Sequence, residues 1–140
     1  MADDVQGITV GHIASYTRQV SADDIRKFAE ATGDTNPVHL DAAYAARTMF
    51  KVPIAHGMLS AGLVSAALGT QLAPNAVVIY LSQSLRFRAP VKPGDTLTAK
   101  ATVTSVDVER SRVALDTVVT NQDGTDVLTG DALVMVQALA

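Results

Sequence analysis

The stretch IAHGMLSAGLVSAALGTQL, Ile54 to Leu72, decides the fold. Read at helical spacing, Met58, Leu59, Ala61, Leu63, Val64, Ala66, Ala67 and Leu68 leave almost no polar face, which predicts a helix buried nearly all round. At about 1.5 Å of rise per residue such a helix is roughly 20 Å long. It also carries His56, Ser60 and Ser65, which does not suit a membrane span. A helix of this kind has to be wrapped, and the sequence after Ala76 supplies the wrapping.

Beyond Pro74 and Asn75 the apolar period changes to two. Val77 to Phe87 reads as one long strand, with Ile79, Leu81, Leu85 and Phe87 on one side and Ser82, Ser84, Arg86 and Arg88 on the other. A Pro-Gly-Asp turn at Pro93 to Asp95 follows. Leu97, Ala99, Ala101 and Val103 then alternate with threonines and Lys100, the pattern of a sheet with one wet face. Val113 to Thr120 and Val127 to Val136 are joined by Asn121 to Gly124, a strong hairpin signal. The expected class is α+β, four or five antiparallel strands curled around one apolar helix. Such a sheet leaves edges for a second chain to cover, so a homodimer is expected.

Toward the N-terminus, Ile13 to Val20 reads as an edge strand. Ser21 is placed to cap a helix running through Ile25, Phe28 and Ala29 to about Thr32, with Asp24 completing a capping box and Gly33 ending it. The next segment, GDTNPVHLD, cannot be regular: Pro37 turns Asn36 away from helix, and Asp34, Thr35 and Asn36 are turn formers. Asp41 can cap a short helix through AAYAAR.

The 140 residues suit a single domain, 1–140, and 48% hydrophobic against 18% charged residues describes a globular chain. A formal net charge of −3 argues against nucleic acid as a partner, because phosphate binding needs a basic face. There is no cysteine, which removes disulfides and thiolate chemistry. Neither a secretory leader nor a membrane segment is expected, so the cytoplasm is the default location.

Asp34, Asn36 and His39 fall within six residues of one irregular loop, where catalytic groups are often held against a rigid scaffold. A histidine can take or give a proton, a carboxylate can do the same or hold a water, and an amide can orient either. The same residues also read as a plain turn with His39 in solvent, and spacing alone leaves both open. His56 and Gly57 open the central helix, where free N–H groups point at partial negative charge and glycine lets a carbonyl come close. That is an oxyanion site or merely a tight entry turn. GMLSAG is one residue too long for a nucleophile elbow, so a serine hydrolase is not supported. Three histidines without HxxxH or HExxH spacing make a poor metal case, and no metal is expected. No phosphate-loop or dinucleotide pattern appears. Arg86, Arg88 and Lys92 form the densest basic run, a candidate for an anionic ligand or a solvated strand face.

Taken together, GDTNPVHLDAAYAARTMF, IAHGML and IYLSQSLRFRAPVKPGD resemble the signature of the R-specific enoyl-CoA hydratases, the MaoC-like dehydratase family, over roughly Ser21 to Leu97. The resemblance implies a hotdog fold and reversible addition of water to a trans-2-enoyl-CoA, giving the R-3-hydroxyacyl-CoA. It puts the family's catalytic Asp on Asp34 and its catalytic His on His39, with Asn36 between them. Gly57 matches the glycine whose N–H polarises the thioester carbonyl, Ser65 matches a helix serine that supports the pair, and His56 is counted with the supporting residues. Asp34 and His39 would share one water, one taking its proton as it attacks and one delivering a proton to the α-carbon, so addition should be syn. No cofactor is implied, CoA being part of the substrate, whose phosphates would fall to Arg86, Arg88 and Lys92. The acyl tunnel would be lined by the central helix and Phe28 or Tyr44. Fatty-acid metabolism or polyhydroxyalkanoate precursor supply would use such a product. A hotdog thioesterase and a silent acyl-CoA-binding subunit are the competing readings; the complete Asp34, Asn36, His39 and Gly57 set speaks against both.

Overall fold

The central helix starts where the sequence places it but is not buried all round. In the computed structural model, which describes residues 3–140, α4 spans Gly57–Ala67 and runs on through a π-helical turn at Leu68–Leu72. Leu59, Ser60, Leu63, Val64, Ala67 and Leu68 are buried. Met58, Gly62, Ser65 and Gly69 form an exposed stripe along the other side. All-apolar composition cannot reveal which side a single sheet will cover, and here one face of the helix is left exposed among the described residues.

The sheet has six antiparallel strands: β1 Ile13–Gln19, β2 Ala76–Gln83, β3 Arg86–Phe87, β4 Thr96–Asp107, β5 Arg112–Thr120 and β6 Asp126–Ala138. Their order is β1-β4-β5-β6-β2, with β3 also on β6. The two-residue alternation is realised as read: Leu97, Ala99, Ala101 and Val103 are each at most 1% exposed and face the helix. Bulges in β4 near Ser105 and in β2 between Tyr80 and Ser82 bend the sheet around α4.

The long strand expected over Val77 to Phe87 is instead two pieces. The chain leaves the ladder at Ser84 and Leu85 because Gly130 of β6 brings its backbone against Ser84; a Cβ at Gly130 would sit 1.9 Å from the Ser84 carbonyl oxygen. Further upstream, Val5 and Ile8 pair in a small turn and are 4% and 2% exposed, so the N-terminal segment closes one end of the core. No described helix is long and apolar enough to cross a membrane.

Candidate active site

The loop that carries Asp34 and His39 is fixed at both ends by local chemistry. Upstream is α1, Ala22–Thr32. The Asp24 N–H donates to the Ser21 hydroxyl and the Ser21 N–H donates to the Asp24 carboxylate, a complete capping box. Arg18 on β1 also donates to Asp24, at 2.7 Å. Together, Arg18 first and the Ser21 N–H second, they hold the Asp24 carboxyl down to about 2. Gly33 ends α1 at φ 81°, a left-handed position that favours glycine, and turns the chain into the loop.

Within the loop the Asn36 N–H donates to Asp34 Oδ1 at 3.4 Å, and Asn36 Oδ1 accepts from the Val38 N–H at 3.1 Å. Asn36 thus caps the single-turn helix α2, Pro37–Leu40, with Pro37 at the first position. Its amide orients backbone rather than either proton-transfer group. His39 sits in the last turn of α2, and Asp41 caps α3, Ala42–Ala45.

Two imidazoles meet here. His39 Nδ1 donates to the Ile54 carbonyl at 2.7 Å; a carbonyl only accepts, so the proton is on Nδ1 and Nε2 is left as the basic lone pair. His56, 2% exposed, donates from Nε2 to the Asp34 carbonyl at 2.9 Å. The rings stack at 3.7 Å between centroids and 26° between planes, and Phe28 packs tilted against His56 at 4.7 Å between centroids. His56 is therefore the post between the two catalytic candidates: it holds the backbone of one and supports the ring of the other.

Asp34, His39 and His56 bring a carboxylate oxygen and ring nitrogens within 4.8 Å of one another. One nitrogen of each ring is already committed to a backbone carbonyl. Ring lone pairs lie in the ring plane, and stacked rings send them side by side rather than toward one point. The arrangement suits proton transfer by an exposed carboxylate and a half-buried base better than a shared ion.

Gly57 is the first residue of α4, and among the described residues no backbone acceptor meets its N–H. Phe87 lies directly on it: a Cβ at Gly57 would be 2.8 Å from the Phe87 ring. Beside them is a largely apolar cavity of about 500 Å³ lined by Phe50, Gly57, Met58, Ser60, Phe87 and Val91 among others. Of the expected tunnel lining, α4 contributes Gly57, Met58 and Ser60 here, while Phe28 packs on His56 and Tyr44, 44% exposed on α3, is not among the lining residues.

The remaining sequence candidates scatter. Ser65 stands on the exposed stripe of α4, in a second cavity with Tyr80 and Leu81 of the β2 edge and Leu85 just beyond it, and makes no side-chain hydrogen bond to Asp34 or His39 among the described residues. Arg86 and Arg88 share a polar cavity with Ser84, Thr129 and Asp131, and Arg88 also reaches the rim of the apolar one. Lys92 lines neither; it is exposed, and its N–H donates to Asp95 in the turn before β4. The reading by residue type passed over Ser60, Phe87 and the Ile54 carbonyl. Only Ser60 left a signal, one helical turn after His56.

The family model described as MaoC like domain matches residues 8–124. The chain belongs to the MaoC-like family. Among MaoC-like relatives, the (R)-specific enoyl-CoA hydratase of Rhodospirillum rubrum is 48% identical over 133 residues, 95% of this chain and 91% of the relative. Among solved structures, the unliganded R-hydratase PhaJ1 from Pseudomonas aeruginosa superposes with a TM-score of 0.89 at 45% identity, covering 99% of this chain and 88% of that one. The (R)-hydratase from A. caviae involved in PHA biosynthesis gives 0.87 at 42% identity, covering 93% and 98%. The curled antiparallel sheet around α4 is thus the hotdog fold of the R-hydratases.

Proposed function

We propose that residues 1–140 act as one hydratase domain that adds water reversibly to trans-2-enoyl-CoA, giving the (R)-3-hydroxyacyl-CoA. The observation that carries this reading is the gathering of the Asp34 carboxylate and the His39 ring, whose Nδ1 is committed to the Ile54 carbonyl, at the start of α4, where the Gly57 N–H meets no backbone acceptor among the described residues. Similarity to R-hydratases over nearly the whole chain supports the substrate class and the stereochemistry.

In the hydration direction a water lies between Asp34 and His39. Asp34, acceptor-only when ionised, holds one of its hydrogens, and His39 Nε2 takes the other as the oxygen bonds to the β-carbon. The electron pair of the double bond moves to the thioester oxygen, where the Gly57 N–H and the positive end of α4 stabilise it. When the enolate collapses, the protonated His39 delivers its proton to the α-carbon on the same face. Atoms balance to one water added, syn. The apolar cavity beside Gly57 would take uncharged parts of the ligand, and Arg88 links it to the Arg86 cavity, a fitting place for phosphates. No resident cofactor or metal enters these steps.

The same reading makes the working unit a homodimer in the cytoplasm. β2 is a sheet edge whose Val77, Ile79, Tyr80 and Leu81 are each 39% exposed, flanked by the uncovered stripe of α4. A second copy pairing edge to edge would cover both. Supply of monomers for polyhydroxyalkanoate is the pathway this assignment favours, by similarity to the A. caviae protein.

Incubation with crotonyl-CoA, followed by parallel assays with R-specific and S-specific 3-hydroxyacyl-CoA dehydrogenases, tests the proposal. Product is expected only in the R-specific arm. Release of free CoA would replace the hydratase by a thioesterase, and product in the S-specific arm would overturn the stereochemistry.

A further inference from the structure

Three side-chain polar atoms are fully buried without a hydrogen-bond partner among the described residues: His56 Nδ1, Ser60 Oγ and Arg112 Nε. Two of the three are four positions apart at the start of α4, one helical turn along its axis. A buried polar atom left unpaired is costly, so two such atoms so close together call for an account. Their chemistry is complementary. His56 Nε2 donates to the Asp34 carbonyl, which leaves Nδ1 with a lone pair to be filled; a serine hydroxyl has a proton to give.

We propose that Ser60 is a positioning residue: its hydroxyl donates to His56 Nδ1 through one bound water and locks His56 in the tautomer that donates from Nε2 to the Asp34 carbonyl. The chain of contacts is then Ser60, His56, the Asp34 backbone, with the His39 ring resting on the His56 ring at 3.7 Å. Without Ser60 the lone pair and the N–H of His56 can exchange places. The Asp34 carbonyl would then face a lone pair, and the loop between Gly33 and Asn36 would lose its tie to α4. Ser60 is 1% exposed and also borders the apolar cavity at Gly57, so the device joins the wall of that cavity to the loop bearing Asp34. As a statement about turnover it rests on the hydratase reading; as a statement about the tautomer of His56 it stands alone.

The test uses the full chain, ¹⁵N-labelled, with long-range proton–nitrogen correlation on its imidazoles; with only three histidines each ring is separable. In the wild type, His56 should carry its proton on Nε2, with the Nδ1 resonance displaced from that of a free imine nitrogen by the bond it accepts. Ser60→Ala removes one oxygen and keeps a good helix former. It should move Nδ1 to the free position or shift the proton between the two nitrogens, whereas Ser60→Thr, which keeps a hydroxyl, should leave the ring as in the wild type. With crotonyl-CoA, Ser60→Ala should lower kcat roughly tenfold with KM within about twofold, and Ser60→Thr should recover most of the loss. An unchanged His56 spectrum in Ser60→Ala overturns the proposal. If neither protein hydrates crotonyl-CoA, the hydratase reading fails while the spectra still decide the role of Ser60.

Discussion

The loop from Gly33 to His56 and the strands from Thr96 to Ala138 are held by different physics. The strands are held by buried apolar area: Leu97, Val103, Val113, Leu115, Val119 and Val134 are almost wholly out of solvent, each supported by several neighbours. The loop has little apolar burial and is held by single hydrogen bonds, Asp34 to Asn36, Asn36 to Val38, His39 to Ile54 and His56 to the Asp34 carbonyl. On the proposed assignment, stability therefore resides in the strands and reactivity in the loop. A change in one region should leave the other's property nearly intact.

The largest expected effect is in the loop. Asp34 is exposed and its carboxylate accepts from the Asn36 N–H, which an amide oxygen can still do. Asp34→Asn should thus fold normally while kcat falls by roughly 10²–10⁴ with little change in KM. A melting temperature as depressed as the turnover would break the separation of the two regions.

Leu97→Ala is the mirror experiment. Leu97 is 0% exposed at the start of β4, and truncation should cost about 2–5 kcal/mol in denaturant unfolding. Turnover per folded molecule on crotonyl-CoA should be unchanged.

Gly57→Ala tests the seam between the regions. The new methyl would press on the Phe87 ring, but that ring is 54% exposed and can swing aside, so the stability loss should be only about 1 kcal/mol. Turnover should drop much further if the Gly57 N–H holds the thioester carbonyl as proposed, because the methyl would stand beside it. Adding Phe87→Ala should restore the stability and not the turnover. Recovery of turnover in the double variant would mean that the ring, not the approach to the N–H, is what matters there.

The smallest effect concerns the start of α1. Asp24 titrates at about 2 in the folded protein against an ordinary 3.8, because Arg18 and the Ser21 N–H stabilise its charged form. The lowered value means that its contribution to stability is complete above about pH 4 and is lost as pH falls toward 2. Asp24→Asn should flatten the stability profile in that window, and acid titration of unfolding free energy in the two proteins would show it.

Local patterns were legible in the sequence wherever a short-range rule fixes the answer. Capping at Ser21 with Asp24, the left-handed Gly33, the alternation of Leu97 to Val103 and the 121–124 hairpin each depend on residues a few positions apart. Asp34 and His39, the proposed proton-transfer groups, could be singled out together because they lie on one short loop. Three matters were decided only by the tertiary structure. Which side of α4 is buried depends on where one sheet ends, and an all-apolar helix has no polar face to announce it. The break between β2 and β3 depends on Gly130 meeting Ser84, a contact between residues 46 positions apart. The stacking of His39 on His56 arises because the loop folds back onto the start of α4. Periodicity records what a residue does relative to its neighbours in the chain; it carries no record of which distant backbone will arrive beside it.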